Sequence, residues 1–547
     1  MTRPSLASLF PVPFLAALAH GQVWESEVLV DAFFEPGIGF VVDSVGDLDG
    51  DGLREALITS IQHSGGRGRV YAVSSGSGAT LLDLVGANAG DAFGHSVAEV
   101  SDLDGDGVPD VAVGAPASSA GRPGSVSIRS GADGSEIWVA VGENNFDSFG
   151  WVVDGTDDIN ADGIEDVLVC APGHDDPVTD AGKVYALSGA DGSVIRSWKG
   201  GIVQEFIGSS VGSAGDVDGD AVADVVVCGL GGGANDRGSA TVYSGASGQL
   251  IWSVSAGNGA RQYGNYFSGC AGDVNADGTP DVYVIDYINV AQRGRLFVYS
   301  GVDGTLLHSI RGPVGNTWLF GRVRIGDLNG DGHDDMVVCS GLNDAGGQNA
   351  GAVFVFSGAT GESLGRWTAD TMGRGMGTDC VSIGDIDGDG SQDIMVGVGS
   401  GPNGGGGIYI LPTNPLAPYS SCAGELNSTG VGGELGYRGS LSLAAQELTL
   451  TYGALPGNTT VAFFGGPLSG SQPAGNGTSC IASPVARVGL SAATANGNGE
   501  ITPLIPLSGP AAVMVGSTWH VQAWYRDVAA GGAGFNLTST LRLAFRP

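Results

Sequence analysis

Positive charge is scarce in this chain. Lysine and arginine number 23 in 547 residues against 58 aspartates and glutamates, a formal charge of −35. Nucleic-acid binding needs a basic footprint, so that class of partner is excluded. Histidine is scarce too, at 7 residues. There is no G-x-S-x-G elbow with a partnered histidine, no H-E-x-x-H pair and no phosphate loop, and the chain reads as a non-enzyme. Long apolar runs are missing after residue 21, so no transmembrane segment is expected. Residues 1–21 read as a secretory signal: Arg3 precedes the apolar stretch Leu6 to Ala19, which ends in the small-x-small site Ala17-Leu18-Ala19. Pro11 and Pro13 oppose a retained anchor. The expected location is secreted or at the cell surface.

Cysteine is limited to 7 residues with no C-x-x-C zinc spacing. Cys170, Cys228 and Cys339 recur at one place in an internal repeat, so equivalent positions should lie too far apart to pair. With Cys270 and Cys380 they read as small buried residues. Cys422 and Cys480 are the plausible disulfide in an oxidising compartment.

What is abundant is glycine, 98 residues, set among periodic apolar runs rather than in low-complexity tracts. The glycines punctuate an acidic loop written seven times, at steps of 54–58 residues: DLDGDGLRE, DLDGDGVPD, DINADGIED, DVDGDAVAD, DVNADGTPD, DLNGDGHDD and DIDGDGSQD. Position one is Asp47, Asp102, Asp158, Asp216, Asp273, Asp327 or Asp385. Position three is Asp49, Asp104, Asn160, Asp218, Asn275, Asn329 or Asp387, and position five is Asp51, Asp106, Asp162, Asp220, Asp277, Asp331 or Asp389. Position seven, whose backbone carbonyl is the expected donor, is Leu53, Val108, Ile164, Val222, Thr279, His333 or Ser391. Position nine is Glu55, Asp110, Asp166, Asp224, Asp281, Asp335 or Asp393.

Calcium takes six to eight oxygens in flexible geometry, and alternate residues of a tight turn can aim theirs at one ion. The chain therefore reads as holding up to seven Ca2+ ions. An EF-hand is excluded because its closing acid stands at position twelve, where the first two loops have Ile58 and Val113. A Val-rich strand follows the acid at position nine instead of a helix. Ala221 replaces the position-six glycine and should strain the fourth turn. Glu55, longer than Asp, should bind differently, and Asn160, Asn275 and Asn329 lower the charge of their sites.

The period signals a propeller or solenoid. Each repeat gives an aromatic-Gly step (Phe93-Gly94, Phe149-Gly150, Phe320-Gly321), the acidic loop, a Val-rich strand such as DVAVGAP from Asp110, a strand ending in an SG-x-x-G turn, and a fourth strand such as EIWVAV from Glu136. Four short strands make one blade, and seven blades can close without exposed edges. The strand VWESEVLV from Val23 is expected to complete the last blade. These Phe-Gly, Gly-Ala-Pro and acidic-loop residues resemble the FG-GAP repeats of the integrin α-subunit propeller and of related bacterial secreted proteins. The resemblance implies an all-β, seven-bladed ring over residues 22–412, with calcium on one face and adhesion on the other.

A linker at 413–418 and a C-terminal β-sandwich over 419–547 are expected from the alternating runs there. Trp519, Trp524 and Tyr525 in that domain offer either a sugar platform or core positions. The resemblance implies an adhesion or ligand-binding protein with an extracellular protein or glycan as partner. The rivals are a structural cell-surface element and a glycan-active enzyme using the propeller channel. Ligand-face candidates are Tyr263, Tyr266 and Trp318, with His174, Asp175, Asp176, Arg237, Arg261 and Asn316 around them.

Overall fold

The second strand of every repeat is a mostly apolar run opened by the position-nine acid, and it is buried along its whole length: Glu55–Ser60, Asp110–Ala115, Asp166–Ala171, Asp224–Gly229, Asp281–Asp286, Asp335–Ser340 and Asp393–Val398. Such a strand must be covered on both faces. Fourth strands, such as Glu136–Val141, alternate between exposed and half-buried positions, as expected at a rim. The computed structural model describes residues 38–231, 238–257, 262–287, 294–312, 318–344, 348–369, 373, 375–386, 390–399, 406–411 and 413, and beyond them strand backbone between 420 and 544.

Six antiparallel sheets of four strands and one of three follow in chain order. The first strand of each sheet packs against the first strands of its neighbours, and the last of them, Met376–Gly384, returns to the first, Ile38–Val45. This is a closed ring of seven blades with the first strands innermost. Apolar clusters fill the spaces between blades. Ala98, Ala112 and Ile128 of blade two pack on Val153, Val167 and Tyr185 of blade three. The closing interface sets Ile38, Ile58 and Tyr71 against Ile383, Met395 and Ile408. The three-stranded sheet is the seventh blade. The strand expected to complete it, from Val23, lies outside the described residues, as does the signal segment.

Chain direction fixes the two faces. Every acidic loop joins a first strand to a second, so all seven lie on one face together with the SG-x-x-G turns that join third strands to fourth. The loops between second and third strands, and the crossovers between blades, lie on the other. Beyond residue 419 the strands are also antiparallel. Ser420–Cys422, Thr540–Ala544, Thr518–Tyr525, Thr460–Gly466 and Ala486–Arg487 follow one another across a main sheet, and two hairpins are separate from it. The side chains there, including Cys422, Cys480, Trp519, Trp524 and Tyr525, lie outside the described residues. Cys170, Cys228, Cys339 and Cys380 are fully buried and free, and Cys270 is half-buried, in line with the packing role expected for them.

Candidate metal centres and the opposite face

Each acidic loop folds around its own carboxylates. In the second, Asp102 accepts the backbone N–H groups of Gly105 (2.7 Å), Asp106 (3.0 Å) and Gly107 (2.7 Å), and Asp106 accepts that of Val108 (2.9 Å). The pattern repeats at Asp47, Asp216 and Asp327. These bonds leave the carboxylates gathered. One oxygen from each of Asp47, Asp49, Asp51 and Glu55 lies within 4.8 Å of the others, and so do those of Asp102, Asp104 and Asp110 and of Asp216, Asp218 and Asp224. In the first loop Glu55 Oε1 is buried with no hydrogen-bond partner. An orphaned carboxylate oxygen among three further acids is a donor set suited to a hard cation.

The acid at position nine does more than the sequence suggests. Asp110 is fully buried and accepts the N–H of Leu103 inside its loop (2.8 Å) and that of Gly131 in the turn beyond the third strand (3.0 Å). Asp166 joins Ile159 to Gly189, Asp224 joins Val217 to Gly245, Asp281 joins Val274 to Gly301, and Asp335 joins Leu328 to Gly358. Position nine is therefore a clamp between the acidic loop and the SG-x-x-G turn. The first glycine of that turn is obligatory: a Cβ at Gly131 would stand 1.9 Å from the carbonyl oxygen of Pro109, and one at Gly189 1.9 Å from that of Glu165. Burial pushes Asp110, Asp166, Asp224 and Asp281 up to about 6, and Glu55 and Asp335 to about 7. Without a cation these groups favour the proton.

The loops differ as their sequences imply. Ala221 adopts φ 70°, the left-handed conformation expected to be strained. Asn160 and Asn275 turn their amide N–H groups onto Asp162 and Asp277, both at 2.9 Å, so these loops carry part of their own charge compensation. The ring of His333 turns away to the carbonyl of Val274 (2.8 Å), which leaves only its backbone as a donor for its own loop. Asp387 and Asp389 lie outside the described residues.

On the opposite face, Tyr266 and Trp318 are half-buried and share one run of ring contacts. His95 lies 4.4 Å from Trp151, Trp151 stacks on Tyr266 at 5.2 Å, Tyr266 lies 6.4 Å from Tyr287, and Tyr287 contacts Trp318 at 5.8 Å and Phe320 at 5.7 Å. Tyr263 corrects the expectation. It is 0% exposed and its hydroxyl donates to that of Tyr299 at 2.8 Å, so it belongs to the core. A bulge between Tyr263 and Ser268 separates the two tyrosines. His174 is likewise buried, bonded through Nδ1 to Asp147 at 2.8 Å, while Asp176 pairs with Lys199. Arg237, Arg261 and Asn316 lie outside the described residues.

Sequence reasoning missed the channel beneath these rings. Arg322 reaches Asp43 at 3.1 Å, Asp154 at 3.4 Å and the carbonyl of Val97 at 2.7 Å, with Asp379 lining the same space. Burial raises Asp43 to about 6 and Asp379 to about 7 against the pull of the guanidinium. Arg322 itself is held charged, since the three carboxylates outweigh its own burial. One signal was available: His95, Trp151 and Arg322 each directly follow a Phe-Gly step, and all three line the channel.

Sequence comparison with known proteins agrees with this architecture. The FG-GAP repeat family matches residues 93–128, 149–187 and 321–356, and the FG-GAP-like repeat matches 273–338. Integrin alpha-5 of Xenopus laevis is 29% identical over 245 residues, which is 41% of this chain and 23% of that protein. Integrin alpha-V of Gallus gallus is 34% identical over 160 residues, 28% of this chain and 15% of that protein. The chain thus spans less than a quarter of these relatives. Among solved structures, the crystal structure of BBS1N in complex with ARL6DN, soaked with mercury, has a TM-score of 0.45 at 13% identity, covering 72% of this chain and 100% of that one. With its Phe-Gly steps, acidic loops and closed ring of seven blades, the chain is an integrin-like FG-GAP β-propeller protein.

Proposed function

We propose that this is a secreted, calcium-loaded propeller, residues 22–412, that binds an extracellular protein or glycan with the face opposite its acidic loops. The observation that carries the reading is the convergence of carboxylate oxygens in the loops, with Glu55 Oε1 left buried and unpaired. Positions one, three, five and nine would hold the ion with the position-seven carbonyl. Bound calcium supplies neutralisation of the gathered carboxylates. The chain's own contribution is the clamp: in blades two to six position nine ties its loop to the neighbouring turn. The half-buried rings of Tyr266 and Trp318 favour a binding role for the other face. No helix among the described residues is long and apolar enough to cross a membrane. The linker at 413–418 and the domain over 419–547 would then present or attach the propeller.

Titration calorimetry on chelator-stripped protein tests the metal half of this reading, with several ions bound per chain as the expected result. Binding to immobilised matrix proteins and glycans, with and without calcium, tests the other half. Calcium-dependent capture weakened by Trp318→Ala supports it. Absence of both ion binding and capture overturns it.

A further inference from the structure

The mouth of the central channel combines features that call for a ligand of narrow chemistry. The inner strands enclose a cavity of about 310 Å³, at the lower end of the range for small-molecule sites. His95, Trp151, Tyr266 and Phe267 line it, and so do Asp154, Arg322 and Asp379. Aromatic faces and a mixed set of donors and acceptors therefore share one small space.

Tyr266 is held there at a conformational cost. Its φ of 70° is a genuine outlier for a bulky residue. The bulge that begins after Tyr263 imposes it, and the result is a ring stacked on Trp151 at an interplanar angle of 27°. Backbone strain of this kind concentrates where a side chain must be aimed. His95 is fixed as well. Its Nδ1–H donates to the carbonyl of Trp151 at 2.9 Å, and burial lowers its pKa, so the neutral ring keeps Nε2 as an acceptor.

The polar groups narrow the choice. A cationic ligand would need the position among Asp43, Asp154 and Asp379 that Arg322 already fills. A polyanion would meet the two lining carboxylates of Asp154 and Asp379 on a chain of net charge −35. What remains is a neutral molecule with an apolar face for the rings and hydroxyls for the arginine, carboxylates and imidazole. We propose that the channel mouth, built on Trp151 and Tyr266 above Arg322, binds a neutral saccharide. The inference rests on the ligand-binding reading above and names the ligand class.

The full chain in calcium is titrated with cellotetraose, xylotetraose and chitotetraose, with a heparin fragment as the charged control. Tryptophan fluorescence and saturation-transfer NMR follow binding. At least one neutral sugar should bind saturably and the heparin fragment should not. Trp151→Ala should weaken binding by about tenfold or more. Tyr266→Gly removes the ring while relieving the positive φ, so a similar loss with an unchanged or higher melting temperature cannot be a folding effect. Leu250→Ala, at an exposed position on a fourth strand, should change nothing. The inference is overturned if none of the three sugars binds, if the heparin fragment binds in their place, or if both channel variants bind as well as the parent. If the sugars fail while a matrix protein is still captured in calcium, this inference falls and the adhesive reading stands; if neither binds, both fall.

Discussion

Stripping calcium should reverse the pH dependence of this protein's stability. In the metal-free chain Glu55, Asp110, Asp166, Asp224, Asp281 and Asp335 are all 0% exposed. Burial raises Glu55 from 4.5 and Asp335 from 3.8 to about 7, and the other four from 3.8 to about 6. An acid whose pKa rises on folding binds its proton more tightly folded than unfolded. Its contribution is fully present below about pH 4 and is lost as the pH climbs through 6 to 7. A change of this size on an isolated group corresponds to about 3 kcal/mol. The loops open to solvent on one side and screening reduces the effect, so roughly 1 kcal/mol per loop is the working figure. Over these loops the loss between about pH 4.5 and 7.5 is on the order of 6 kcal/mol, comparable with the whole stability of an ordinary domain. In calcium the sign inverts, because protons compete with the ion for the same oxygens and added pH strengthens binding to the folded form. Urea melts at about pH 5 and 7.5, in chelator and in calcium, read this directly. The chelated protein should be more stable at about pH 5 than at 7.5, and the calcium form more stable at about 7.5 than at 5. A chelated protein whose stability is flat or rises across this window, and which ignores added calcium, would refute the reasoning.

The turn glycines should separate into two classes. Gly131→Ala drives a Cβ to 1.9 Å from the Pro109 carbonyl and should cost more than about 3 kcal/mol. Gly107→Ala meets nothing within 4 Å, so only its φ of 93° opposes it, at about 1 kcal/mol, and Ala221→Gly should recover a similar amount; thermal melts in calcium check all three. Arg322→Met leaves Asp43, Asp154 and Asp379 without their cation and should destabilise by about 3–5 kcal/mol near neutral pH. That loss should shrink at acid pH, where the carboxyls take protons, in urea melts run at both. Tyr263→Phe removes the bond to Tyr299 for about 1 kcal/mol and should leave ligand capture untouched, in contrast to Tyr266→Gly.

The ring was legible because its signal is repeated. One D-x-D-x-D-G loop before a run of valines is ambiguous, but the same order of cues at each step leaves little freedom in how a blade pairs. The channel was not legible, because it is built from residues that differ between repeats. Asp43, Asp154, Arg322 and Asp379 come from blades one, three, six and seven and meet only when the ring closes. Each is unexceptional in its own repeat. Tyr263 and Tyr266 show a second limit. They stand three residues apart in one strand, so alternation separates their faces, but it does not anticipate the bulge that gives Tyr266 a positive φ and aims it into the channel while Tyr263 stays in the core.

Position nine shows a third limit, and the first blade supplies the argument for it. As a bare motif the closing acid reads as one more ligand. In the structure it is also the tie between two turns, and the tie explains why SG-x-x-G recurs in step with the acidic loop. Where blade one has Glu55 in place of Asp, the residue matching Gly131 is Ser75, whose N–H still reaches Glu55 at 2.8 Å. The acid thus keeps its partner beyond the third strand although the glycine is gone. In blade seven the corresponding N–H, on Asp393 at 2.9 Å, comes from Thr413, just past the third strand. Five aspartates at position nine meet a turn glycine, Glu55 meets Ser75 and Asp393 meets Thr413, so the acid keeps a backbone N–H beyond the third strand as its partner in every blade, even where the turn's sequence changes. A ligand acting alone would need no such partner.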